Sequence, residues 1–122
     1  MAQIAYVNIY TKDLERSVAF FEKTLGLTRN FVDVEHGYAS FAAGPIQLGV
    51  AVAADDDGQW TGRHTGIGFA VDDLEAEFVR LQALGVEFAA APERYPWGGF
   101  MALVKDPDGN IYYLDEVAAT HG

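Results

Sequence analysis

Residues 104–116 read VKDPDGNIYYLDE, a turn followed by a strand. In Asp106-Pro107-Asp108-Gly109, Pro107 fixes φ for a tight connection and Gly109 tolerates a positive φ. The strand leaving that turn carries two adjacent tyrosines. Period-two alternation sends Tyr113 and Ile111 to one face and Tyr112 and Leu114 to the other. The two short runs before it, VEFAAAP (86–92) and GGFMALV (98–104), also read as strands.

Further back, FAVDDLEAEFVRLQALGV (69–86) repeats IYTKDLERSVAFFEKTLGL (9–27): Asp13-Leu14-Glu15 matches Asp73-Leu74-Glu75, and Leu25-Gly26 matches Leu84-Gly85 after a single-residue gap. In each copy a β-rich run leads to an Asp placed to cap a helix, and the helix stops at a Gly suited to the left-handed position. Leu14, Val18, Phe21 and Leu25 share one helical face, as do Leu74, Phe78 and Leu81, so both helices pack on a core. The first copy continues through LTRNFVDV, GYASFAA and PIQLGVAV, turning at Glu35-His36-Gly37 and Gly44-Pro45. Each copy therefore reads βαβββ. The fold class is α+β, one domain over 1–122, with a first module at about 1–53, a linker at about 54–63 and a second module at about 64–118. Asp55-Asp56-Asp57-Gly58 lacks the alternating ligands and distant Glu of a calcium loop and reads as solvated linker.

Composition narrows the function. The chain has 122 residues, is 50% hydrophobic and carries a formal net charge of −10 with only 8 Lys and Arg. That balance disfavours nucleic acid and anionic membranes and suits a neutral or cationic small molecule. There is no cysteine, hence no disulfide or thiolate metal site. No apolar run reaches spanning length and no signal-peptide pattern opens the chain, so a cytoplasmic location is expected. Ser17 and Ser40 have no His/Asp arrangement, and no phosphate-binding Gly loop or dinucleotide fingerprint is present.

Paired βαβββ units, DLERSVAFFEKTLGL and DPDGNIYYLDE together resemble the vicinal oxygen chelate superfamily of glyoxalase I, extradiol dioxygenases and bleomycin resistance proteins, over nearly the whole chain. The resemblance implies two modules whose curved sheets form a ligand-holding cup with helices on the convex side. It also implies a homodimer, and in the metal enzymes one divalent ion held from the first and last strand of each module. Carried over, those places are Tyr6, Gln47, Gly66 and Tyr113. None is a His, Asp or Glu, and Gly66 has no side chain to offer, so no metal and no other cofactor is expected.

Alternation then lines the cup with Tyr6, Asn8 and Tyr10 on the first strand, Gln47, Gly49 and Ala51 on the fourth, and Gly66, Gly68 and Ala70 on the fifth. Asn8 and Gln47 are expected to offer both donors and acceptors, and a Leu at Gly66 to fill the cup. Trp97 is expected to stack on a planar ligand; Trp60 is left open. Tyr113 either fills a cavity, with a locally bonded hydroxyl, or touches the ligand. His64, two residues before Gly66, shares its face if the strand is regular and is a candidate replacement ligand, although a surface role suits it better. His36 and His121 are assigned no role. The expected function is metal-free binding of a small organic molecule, as in bleomycin resistance proteins. The alternative is a glyoxalase-like lyase or isomerase, or a dioxygenase, with an atypical metal site. A metal-free enzyme using Tyr6 or Tyr113 as general acid is a narrower third reading.

Overall fold

A computed structural model describes residues 1–53 and 59–116. The acidic stretch Asp55–Gly58 and His121 lie outside the described residues. The chain divides into two compact units, Met1–Gly62 and Arg63–Gly122.

In the first unit, strand β1 (Tyr6–Thr11) leads into helix α1 (Leu14–Ala19), followed by β2 (Thr28–Asp33), β3 (Tyr38–Ala43) and β4 (Ile46–Val52). The sheet order is β1-β4-β3-β2, with β1 parallel to β4 and the other neighbours antiparallel. The Asp13 carboxylate accepts from Arg16 N–H at 3.1 Å, the expected cap. Beyond Ala19 the helix widens into a π-helical turn, Phe20–Thr24, closed by Leu25 N–H to Phe20 C=O at 2.9 Å. The chain then leaves through Gly26 at φ +79°. The wide turn departs from the regular helix expected. Within it Phe20 and Phe21 are both buried, their rings edge to face at 5.2 Å. They pack with Ile9, Val18, Ala39, Phe41, Leu48 and Val50.

The second unit repeats the plan with β5 (His64–Val71), α2 (Leu74–Ala83), β6 (Phe88–Arg94), β7 (Phe100–Lys105) and β8 (Ile111–Glu116), in sheet order β5-β8-β7-β6. Asp73 caps α2 by accepting from Ala76 N–H at 3.1 Å, and Gly85 ends it at φ +84°. Leu74, Leu81, Phe100, Ala102, Val104, Tyr112 and Leu114 form the core, with Phe78 edge to face on Phe88 at 4.7 Å. No helix among the described residues is long and apolar enough to cross a membrane.

The turn at 106–109 is built around a buried carboxylate. Asp106 accepts from Asp108 N–H at 2.9 Å, Asn110 N–H at 3.0 Å, the Asn110 amide at 3.0 Å and the Tyr112 hydroxyl at 2.7 Å. Burial raises the Asp106 pKa despite those donors, and burial followed by the Asp106 charge pushes the Tyr112 phenol far above its usual range. Tyr112 is therefore a structural anchor. It is fully buried, while Tyr113 stays partly open on the opposite face, as alternation predicts.

Candidate functional site

In the first unit the strand register lays out the face opposite α1 row by row. Tyr6 lies beside Gln47 and Ala42, Asn8 beside Gly49 and Ser40, and Tyr10 beside Ala51 and Tyr38. The expected Tyr6, Asn8, Tyr10 and Gln47 therefore share one surface, with Tyr6 61% exposed. Ser40, Tyr38 and two β2 residues join them, none of which was picked out from the sequence. Alternation along YASFAA was enough to find Tyr38 and Ser40. Asn30 was not findable that way, because it is the extra residue of a bulge between Arg29 and Phe31.

These polar groups are already bonded to one another. The Tyr38 hydroxyl donates to Asn8 Oδ1 at 2.8 Å, passing over Gly49, where any Cβ would collide with both partners. Asn30 Nδ2 donates to Ser40 Oγ at 3.2 Å, and Ser40 Oγ donates to Gln47 Oε1 at 3.2 Å. Burial, with smaller contributions from the Tyr6 and Tyr10 phenols, holds the Tyr38 pKa above its ordinary range, so Tyr38 stays a donor at neutral pH. Aromatic rings flank the network: Phe31 lies 6.0 Å from Tyr38, and Trp60 packs on Tyr10 at 5.2 Å. Each of these side-chain carbonyls already accepts one bond from the protein and keeps one lone pair, while each NH2 group has no protein partner among the described residues, so Asn8 and Gln47 offer more donors than acceptors.

In the second unit, β5 is not the regular strand assumed from the sequence. It carries four residue steps from His64 to Gly68 where β8 carries two from Ile111 to Tyr113, and Gly66 sits in the excess at φ +74°. Thr65 Oγ1 patches the ladder, donating to Ile111 C=O at 2.7 Å and accepting from Ile67 N–H at 3.2 Å. Gly66 is thus glycine for a backbone reason, and a Leu there would strain the chain whatever space it filled. The small residue beside Tyr113 is Gly68, whose added Cβ would meet Tyr113 Cβ at an ordinary 3.6 Å. Tyr113 packs against His64, ring centroids 4.9 Å apart, and its hydroxyl has no protein hydrogen-bond partner among the described residues. Trp97, 71% exposed, stacks on Tyr95 at 4.8 Å and 16° in the β6–β7 loop, so its expected stacking surface is partly spent within the chain.

The donor set does not fit a divalent metal. Tyr6 and Gln47 in one unit and Gly66 and Tyr113 in the other supply no carboxylate or imidazole. His64 accepts the Gly66 N–H on Nδ1 at 3.1 Å, which puts the proton of the neutral ring on Nε2. Ligation through Nε2 would need the other tautomer and would cost that hydrogen bond. Among the described residues no three His, Cys, Asp or Glu side chains gather closely enough to hold an ion.

The sequence profile of the Glyoxalase/Bleomycin resistance protein/Dioxygenase superfamily matches residues 3–112, and the chain belongs to that superfamily. A superfamily member from Sphaerobacter thermophilus DSM 20745 superposes with a TM-score of 0.77 at 28% identity, covering 96% of this chain and 98% of that one. TnmS3, an antibiotic binding protein from Streptomyces sp. CB03234, does so with a TM-score of 0.75 at 25% identity, covering 95% and 96%. The putative glyoxylase CFP32 of Mycobacterium bovis is 29% identical over 106 residues, which make up 85% of this chain and 40% of that protein. The chain thus spans less than half the length of that curated relative.

Proposed function

We propose that the chain is a cytoplasmic small-molecule-binding protein that works without a divalent metal. The observation that carries this reading is the preformed network on the first unit's sheet, Tyr38 to Asn8 and Asn30 through Ser40 to Gln47, ringed by Tyr6, Tyr10 and Phe31. Polar groups already held in place among aromatic surfaces orient a ligand at small entropic cost. Tyr113, whose hydroxyl bonds no described residue, and Trp97 supply the contacts assigned to the second unit, and Gly66, where an added Cβ meets nothing within 4 Å, leaves room there together with Gly68. Likeness over nearly the whole chain to an antibiotic binding protein supports the binding reading. The donor set above disfavours a metal-dependent lyase, isomerase or dioxygenase.

Elemental analysis beside a calorimetric screen of small planar aromatics tests the proposal. The expected result is substoichiometric Zn, Ni, Mn and Fe, with affinities unchanged by EDTA. One equivalent of any of these metals, required for binding and lost on His64→Ala, overturns it. The resemblance also implies a homodimer, which we adopt. Sedimentation at micromolar concentration showing only single chains removes that part.

A further inference from the structure

We infer that the first unit's face selects a planar, uncharged ligand by its acceptor oxygens, of the carbonyl type, an inference that rests on the binding function proposed above. Hydrogen-bond accounting carries it. Asn8 Oδ1 is taken by the Tyr38 hydroxyl and Gln47 Oε1 by the Ser40 hydroxyl. The amide nitrogens Asn8 Nδ2 and Gln47 Nε2, each with two N–H bonds, have no protein partner among the described residues. In this arrangement every proton of the network meets an acceptor: Tyr38 O–H on Asn8 Oδ1, Asn30 N–H on Ser40 Oγ and Ser40 O–H on Gln47 Oε1. The Tyr6 hydroxyl can rotate to either role and sets no preference.

Charge argues against an anion on this face. The three rows across the sheet, from Tyr6, Asn8 and Tyr10 through β4 and β3 to β2, contain no Lys or Arg, and their only acid is Asp33 at the far edge. Asp33 is bonded to His36 Nδ1 at 2.8 Å. A cation bearing N–H donors would meet ring faces and two carbonyls that each already hold a hydrogen bond, whereas a carbonyl-edged ring meets two open NH2 groups beside aromatic surface. This narrows the neutral-or-cationic expectation drawn from net charge to its neutral half.

Flavone, a neutral planar carbonyl acceptor, and proflavine, a planar cation with N–H donors, separate the alternatives by calorimetry and by side-chain amide shifts in 15N spectra. Flavone is expected to move the Asn8 and Gln47 NH2 resonances and to bind roughly tenfold more tightly than proflavine. Asn8→Asp keeps an acceptor for Tyr38 while replacing the NH2 by a second oxygen, so it should reverse the order of the two probes. Gln47→Glu does the same toward Ser40 and serves as the second variant if the first misfolds. A wild-type preference for proflavine, or a probe ratio unchanged in both folded variants, overturns the inference while leaving ligand binding intact. Failure of both probes and of every other planar aromatic screened overturns the binding function with it.

Discussion

Gly49 is glycine because another residue's side chain crosses it. Tyr38, one row along on β3, reaches diagonally over β4 to Asn8, and a Cβ at position 49 would overlap both bonded oxygens and lie 2.7 Å from Tyr38 Cζ. Gly49→Ala should therefore cost about 1–3 kcal/mol by urea unfolding. Adding Tyr38→Ala should cost little more, since the collision is then gone; strictly additive losses would sink this explanation. Sequence alternation placed Gly49 on this face, and along YASFAA it sufficed to add Tyr38 and Ser40, but it gave no sign that one hydroxyl spans two strands. The neighbouring tyrosines show the same limit. The opposite facing of Tyr112 and Tyr113 was legible, but the Asp106 partner was not, because only the closed turn brings position 106 to position 112. That partner has a pH signature. The folded Asp106 carboxyl titrates above its ordinary 3.8, so its contribution to stability is full below that pH and is lost as pH rises through the folded value. The stability of the wild type relative to Asp106→Asn should accordingly fall as pH is raised from 3.8 toward neutrality. A difference that grows instead contradicts the buried-acid assignment.

At the scale of elements, the internal repeat made the caps, helices and strand count readable, since each depends on local residue chemistry repeated in order. The single-residue gap in that repeat has a structural form. Asp13 to Gly26 is thirteen steps and Asp73 to Gly85 twelve, and the extra residue is taken up as the π-helical turn at Phe20–Thr24 while α2 stays regular. The bulge in β5 was hidden because HTGIGFAV alternates well enough to pass for a plain strand, and only pairing with β8 exposes the surplus residues. Its physical demand falls on Gly66, where φ is +74° and an added Cβ meets nothing within 4 Å. Gly66→Ala should therefore lose about 1–2 kcal/mol through backbone strain alone. Gly66→Asn should lose less, because Asn tolerates the left-handed region. Gly68→Ala, with no such φ, should change the urea midpoint little. Equal losses for Ala at 66 and 68 would point to packing, not strain.

At the scale of the whole molecule, the net charge of −10 acts on any ligand before it reaches a particular side chain. A field of one sign repels like-charged ligands over about a Debye length, roughly 10 Å at 0.1 M salt, and leaves neutral ones untouched. A carbonyl-edged ligand can still be an anion if it also carries an acidic group, so surface charge filters what the donor-rich sheet face would otherwise accept. Local hydrogen bonding asks for acceptors and the global field rejects anions, and a neutral acceptor satisfies both. The affinity of flavone should thus stay constant between low salt and 0.5 M NaCl, while that of a flavone bearing one sulfonate should tighten several-fold as screening removes the repulsion. Titrations of both compounds at three salt concentrations decide the matter: parallel curves would show that surface charge plays no part in selection, and tighter sulfonate binding at low salt would require a cationic contact that the rows of the first sheet do not contain.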